Sequence, residues 1–230
     1  DDAQQVNYYQ ILIEYEYEWV YPGTETIMVQ RRSVPFESTD PTINNENYDS
    51  RGGLLVKDLL FNGKETELSF QADNLFLWGD VTTTVSLRTV NEEYYKYMTT
   101  SRLQTSTSDN PFAQPVNVFS NIEQGFGIFA GYSQSSITQS HPRPILTGLS
   151  ATQGKPGDEI VITGENFSES VACYFNGNSF GVINWHYAQI VERGTTYIKV
   201  IVPQNAVTGK IYIRNGGKVA FSDTVFQVTN

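Results

Sequence analysis

"YYQILIEYEYEWVY", residues 8 to 21, alternates almost without a break. Odd positions carry Tyr9, Ile11, Ile13, Tyr15, Tyr17, Trp19 and Tyr21, while even positions include Gln10, Glu14, Glu16 and Glu18. A period of two sends alternate side chains to opposite faces, so the stretch reads as a long β-strand with one apolar and one charged face. The aromatic row admits two readings. A sugar-binding platform needs its rings in solvent, and a sheet core needs the same rings out of it. Two isoleucines in the row favour the core, because aliphatic side chains gain from leaving water and contribute little to stacking on sugars. A platform survives best at the far end, Tyr17 to Tyr21, beside the turn residues Pro22-Gly23. Trp19 and Tyr21, with Trp78 further along, are therefore the candidate ligand-binding residues.

Pro22-Gly23 leads into a second β-like run, Ile27 to Val34. Folding the hairpin about the Gly23–Thr24 bond sets Glu16 opposite Arg31. Such a cross-strand ion pair contributes a few tenths to about 1 kcal/mol and relieves the repulsion along Glu14, Glu16 and Glu18. Residues 37 to 53, rich in Asn, Asp and Ser, read as a loop. Further β-like segments are Glu67–Ala72 and Val81–Val90, with Asn74–Asp80 between them. In "NEEYYKYMTTSRLQ" the pattern changes to helical spacing: Asn91 is the N-cap, Glu92 and Glu93 favour the first turn, and one amphipathic helix spans about 92 to 103. The proline- and glycine-punctuated run 110–132 suits irregular strands.

"SQSSITQSHPRP", residues 133 to 144, reads as a linker. Beyond it, short β-like runs at 158–163, 171–175, 180–185, 197–202, 210–214 and 224–228 imply a small β-sandwich. Within them Asn176-Gly177 is a type I′ hairpin signal. The fold class is thus mainly β, with a β-rich first domain over 1–141 carrying one amphipathic helix and an immunoglobulin-like sandwich over 142–230.

The 230 residues carry a formal charge of −10, unevenly placed. Up to His141 there are 19 acidic and 8 basic residues, a net of −11; the remainder has 6 acidic and 7 basic, a net of +1. An acidic first part argues against nucleic-acid or anionic-membrane partners, which demand a basic footprint. No apolar run approaches the roughly 18 residues of a membrane span. The opening Asp-Asp-Ala-Gln-Gln is not a signal peptide, so a targeting segment is expected to lie outside this chain. One cysteine, Cys173, excludes an internal disulfide and reads as a small buried apolar residue.

No nucleophile elbow, phosphate-binding loop or dinucleotide fingerprint is present. The two histidines, His141 and His186, fall in the linker and in a strand. "DPTINNENYD" is crowded with oxygen ligands, but aligned to a calcium loop from Asp40 it has Asn45 where Gly is required and Arg51 where Glu is required. No metal ligand, cofactor or catalytic residue is assigned, and a binding role is expected rather than an enzymatic one.

Two resemblances add to this reading. "PILTGLSATQGKPGDEIVITGENF", "YFNG", "VIVPQNAVTGKIYIRNGG" and "FQV" are similar to an IPT/TIG domain, an immunoglobulin-like fold, with Gly154, Pro156-Gly157, Gly164, Asn166-Phe167, Val202-Pro203 and Gly209 at its turn and strand positions. "NSFGVINWHYAQIVERGTTY" is longer and more aromatic than that family's central connection, so Trp185 and Tyr187 form either a contact surface or extra strand packing. "GGLLVKDLLFNGK", "VSLRTVNEEYYKYMTT" and "NPFAQPVNVFSNIEQGFGIFAGY" resemble the Bacteroidota family called domain of unknown function 4249, over its later portion, so an upstream part is expected to be missing. That resemblance implies a lipoprotein of the Gram-negative outer membrane and cell surface, anchored through an N-terminal cysteine not in this chain. Its implied partner is a TonB-dependent transporter or another envelope protein, with nutrient capture or capping as the role. Direct binding of a glycan or peptide ligand and a structural or adhesive role are the alternatives.

Overall fold

The computed structural model describes residues 5–44, 47–49, 52–60, 63–72, 81–107, 114, 116–179 and 182–229. They fall into two compact units: Asp1–Tyr15, Arg32–Asn74 and Thr83–Thr138 in the first; Glu16–Arg31, Leu75–Thr82 and Gln139–Asn230 in the second.

The first strand is β1, Tyr8–Val20, followed by β2 at Ile27–Ser33. The hairpin forms in the expected register, with Arg31 Nη2 3.1 Å from Glu16 Oε2 and Tyr21 N–H donating to Thr26 C=O at 2.9 Å. Then come β3 (Phe36–Ser38), β4 (Leu54–Lys57), β5 (Phe70–Ala72), β6 (Thr82–Val90), helix α1 (Glu92–Thr107) and β7 (Tyr132–Gln139). The main sheet has the order β2-β1-β6-β7, and β4 pairs antiparallel with the start of β1, Tyr9 opposite Val56 and Ile11 opposite Leu54. β3 and β5 form a separate pair.

The odd face of β1 is graded rather than uniform. Ile11 and Ile13 are buried, Tyr9, Tyr15, Tyr17 and Trp19 are half-buried, and Tyr21 is exposed. The even face departs from expectation, for Gln10 and Glu18 are buried instead of solvated. Each is held there by hydrogen bonds that replace water. Gln10 bonds the Asp49 carboxylate through its amide nitrogen, and its oxygen accepts from Arg88 Nη1 at 3.0 Å and the Tyr94 hydroxyl at 3.2 Å. Asp49 in turn accepts from Gly53 N–H at 2.8 Å. One polar network thus ties β1, the 47–53 loop, β6 and α1 together.

Asn91 caps α1 as its side chain predicts, accepting from Tyr94 N–H at 3.1 Å. The helix continues to Thr107, four residues past the expected end. Its Thr residues do not stop it because their hydroxyls return to the carbonyls a turn back, Thr100 to Lys96 at 2.7 Å and Thr107 to Leu103 at 2.8 Å. Tyr94 is its buried residue; Tyr95 and Met98 pack partly against Leu55, Val90 and Tyr8.

The linker reading of residues 133–144 is corrected over 133–139, which belong to β7. All eight β7 residues are exposed. Polar side chains meet across the pairing with β6: Thr84 with Thr138 at 3.0 Å, Ser86 with Ser136 at 2.9 Å, and Arg88 Nε donating to Gln134 at 2.7 Å. An edge strand with such cross-strand bonds needs no apolar face, so composition disguised it. Among the described residues of 110–131 there is no strand.

In the second unit two four-stranded sheets enclose one apolar core, the immunoglobulin-like sandwich that the sequence implied. One sheet orders β13 (Ile190–Arg193), β14 (Tyr197–Ile201), β10 (Glu159–Glu165) and β8 (Ile145–Leu149). The other orders β12 (Val182–Tyr187), β11 (Ala172–Ser179), β15 (Ala206–Asn215) and β16 (Lys218–Phe221). β17 (Gln227–Val228) lies parallel to β9 (Gln153–Gly154). Alternate residues point inward: Ile160 and Ile162, Ile198 and Val200, Cys173 and Phe175, Ile211 and Ile213.

Asn176-Gly177 is not a turn. Both residues lie within β11, opposite Trp185 and Asn184, where a side chain at Gly177 would run into the His186 ring and lie 2.8 Å from the Asn205 carbonyl oxygen. Close packing selected that glycine. The turn chemistry sits instead at Gly216-Gly217, whose φ values of 55° and 71° suit the tight connection from β15 to β16.

Candidate functional site

Two outward surfaces carry the side chains of interest, one in each unit.

In the second unit, the tip of the β1–β2 hairpin packs on the outer face of the β12-β11-β15-β16 sheet. Glu18 N–H donates to Gly217 C=O at 2.7 Å. The Glu18 carboxylate accepts from Val219 N–H at 2.9 Å and from Arg143 Nη1 at 2.7 Å, with Arg143 Nη2 on its second oxygen and Lys218 Nζ 3.9 Å away. Val20 packs with Tyr212 and Val219. Lys210 reaches Glu25 at 3.0 Å.

Beneath lies an aromatic cluster. Tyr174 stacks on Tyr212 with centroids 4.6 Å apart, and Trp185 meets Tyr212 edge-on at 4.8 Å. Burial pushes the Tyr212 hydroxyl well above the usual phenol range. Trp185 is thus strand packing, its indole N–H buried with no hydrogen-bond partner among the described residues. Tyr187, at the edge against Tyr174, is exposed.

Since Glu18 and Val20 face this sheet, the period of two turns Tyr17, Trp19 and Tyr21 the other way. Tyr17 donates its hydroxyl to Gln30 at 2.5 Å. Trp19 is half-buried and Tyr21 is 53% exposed; their rings lie 6.1 Å apart at 41°. Two of the three candidate aromatics are therefore brought together. The third, Trp78, lies outside the described residues.

The surface that sequence reasoning missed is in the first unit, in residues 120–129. The Asn121 side chain accepts from Phe129 N–H at 2.8 Å and donates to Phe129 C=O at 2.9 Å, closing the loop's ends. Ser120 Oγ spans the interior, donating to Gly125 C=O at 3.2 Å and accepting from Ile122 N–H at 3.2 Å. Gln124 and Gly127 take positive φ, 55° and 114°. Phe119 N–H donates to Thr100 Oγ1 at 2.9 Å, fixing the loop to α1. This compact loop holds Phe126 fully exposed, Phe129 at 85% exposure and Ile122 exposed. The signal was present in "QGFGIFAG": large apolar residues alternating with glycines have too few neighbours to bury against.

Cys173 is buried, and burial raises its thiol pKa far above the range of a nucleophilic thiolate. Among the described residues no three of His, Cys, Asp and Glu gather in a way that holds a metal ion, and no helix is long and apolar enough to cross a membrane.

Comparison with known proteins adds the family. Solved structures with local likeness include a structural genomics protein of unknown function from Bacteroides thetaiotaomicron, 16% identical with a TM-score of 0.34, matched over 40% of this chain and 24% of that one. Two others are auxiliary nutrient binding proteins from Bacteroides ovatus and Bacteroides thetaiotaomicron, each 16% identical over 38% of this chain and 21% of theirs, with TM-scores of 0.33 and 0.32. The chain spans about a quarter or less of those proteins' lengths. No curated protein matches. The family described as Domain of unknown function (DUF4249) matches residues 1–138, and the IPT/TIG domain matches residues 144–228. The chain belongs to the DUF4249 family and carries an IPT/TIG domain after it.

Proposed function

We propose that this protein is a non-catalytic binding protein of the Gram-negative cell envelope, lipid-anchored at the outer-membrane surface, that docks on a TonB-dependent transporter. The observation that supports the docking role is the pinned loop holding Phe126, Phe129 and Ile122 in water. Exposed apolar clusters of this kind mark partner surfaces, and aromatic anchors carry a large share of interface energy. Hydrogen bonds at both ends of the loop hold its shape before a partner arrives, which lowers the ordering cost of association. The DUF4249 resemblance supports the envelope location and the transporter partner. The test is affinity purification of the tagged protein from solubilised native membranes. A transporter co-purifies, and a Phe126→Ser/Phe129→Ser double variant loses it by more than roughly tenfold, the effect of removing two anchors of about 1 kcal/mol or more each. No envelope protein in the eluate, or equal recovery with the variant, rejects the reading.

Trp19 and Tyr21 favour a second reading, retention of a glycan on the hairpin's outer face. Paired rings on one strand suit stacking on successive sugar faces. Trp19→Ala/Tyr21→Ala then weakens retardation in a polysaccharide-containing native gel. Equal migration of wild type and variant across starch, xylan, mannan and pectin gels counts against it.

A further inference from the structure

Residues 116–120 and 126–127, which overlap the start and far side of the docking loop, form with α1 a groove of about 510 Å³. Tyr97, Ser101 and Gln104 line it from the helix, and Asn117, Phe119 and Phe126 from these two stretches. Its volume falls within the roughly 300–1,000 Å³ of small-molecule sites.

Three features of the lining bear on its occupant. First, Tyr97 and Phe119 are half-buried and Phe126 stands fully exposed, so aromatic surface borders the groove. Second, the side-chain polar groups of Tyr97, Ser101, Gln104 and Asn117 make no hydrogen bond among the described residues, in contrast to Ser120 and Asn121 next to them, which are spent on the loop. Third, the described residues of the lining include no carboxylate, ammonium, guanidinium or imidazole. The nearby Lys96, 5.9 Å from the Phe119 ring centroid, is paired with Glu92 at 3.0 Å.

A ligand with a formal charge would find no counter-charge among the described lining residues, and a purely apolar one would strip water from four polar side chains without return. Hydroxyl and carboxamide groups both donate and accept, which matches a ligand whose own groups do both. The geometry points to a binding site for a neutral sugar of one to three rings in the α1–loop groove, with Tyr97 and Phe119 against its faces and Ser101, Gln104 and Asn117 on its hydroxyls. This site is separate from the hairpin aromatics and shares Phe126 with the docking loop, while Phe129 and Ile122 lie outside its lining.

Isothermal titration of the whole chain with maltotriose, xylotriose, mannotriose and galactobiose tests it. At least one of the four binds saturably, with a Kd of about 0.1–1 mM. Gln104→Ala/Asn117→Ala weakens it roughly fivefold or more, the loss expected for one or two hydrogen bonds, without shifting the thermal midpoint. Both residues are exposed, so their removal spares the fold. Trp19→Ala/Tyr21→Ala leaves this affinity unchanged, and so does Phe129→Ser, which separates the groove from the hairpin and the docking anchor. Absence of saturable binding by all four sugars up to about 10 mM overturns the assignment. So does binding that survives Gln104→Ala/Asn117→Ala or disappears in Trp19→Ala/Tyr21→Ala.

Discussion

Arg143→Ala lowers the free energy of unfolding of the second unit by about 2–4 kcal/mol. The Glu18 side chain is 5% exposed, so its carboxylate has given up most of its water. Its replacements are two Arg143 nitrogens, the Val219 N–H and a more distant Lys218. Removing the guanidinium leaves a buried anion with one close donor. Breaking a buried pair costs roughly 3–5 kcal/mol, and water entering beside the half-exposed Arg143 side chain moderates that figure. Glu18→Gln keeps an acceptor for Val219 N–H and costs less, about 1–2 kcal/mol. Urea unfolding followed by tryptophan fluorescence measures both, with unchanged m-values excluding a shift in the reference state. An Arg143→Ala effect under about 0.5 kcal/mol means that water or Lys218 already satisfies Glu18 and that the hairpin tip is held without the Arg143 pair, by Val20 packing and the Glu18–Gly217 and Val219–Glu18 bonds.

Gly164→Ala destabilises the same unit by about 2–3 kcal/mol or more. A methyl group there collides with the Ile145 carbonyl oxygen and the Phe167 ring, whose Cε1 would stand 2.9 Å away. The first obstacle is backbone of the neighbouring strand, at the register shift between Thr163 and Gly164 where β10 pairs β8. The second is a buried core side chain. Neither can move without opening the sheet or the core, in contrast to a site bordered by the free end of a long side chain. Thermal unfolding monitored by circular dichroism reads the loss, and a midpoint within about 1 °C of wild type contradicts the packing described.

Much of this architecture is written locally in the chain. The strand character of β1, the Glu16–Arg31 pairing, the Asn91 cap and the β-runs at 158–163, 171–175, 197–202 and 210–214 depend on neighbours in sequence, and the structure reproduces them to within a few residues, while 224–228 is strand only at Gln227–Val228. The misses share a cause. Glu18 and Gln10 look solvent-facing because a lone carboxylate or amide belongs in water; only partners 125 and 78 residues away, Arg143 and Arg88, make burial tolerable. β7 looks like linker because its pairing uses hydroxyls and amides instead of apolar contacts. Asn176-Gly177 carries turn chemistry but is claimed by His186 packing. For the candidate surfaces, the row containing Trp19 and Tyr21 was legible from the period of two. The Phe126–Phe129 loop was only hinted at by its interspersed glycines, since hydropathy marks both residues for the interior, and it takes the Asn121 and Ser120 bonds to hold them outside.

Placing a photoreactive benzoylphenylalanine at position 126, and separately at 129, in the native cell tests the docking role most directly. Irradiation at either position is predicted to give a covalent adduct with a TonB-dependent outer-membrane transporter, while the same probe at exposed Glu169 in the IPT/TIG domain gives none. Equal adducts from all three positions, or none at 126 and 129 with the protein at normal abundance, contradicts the account.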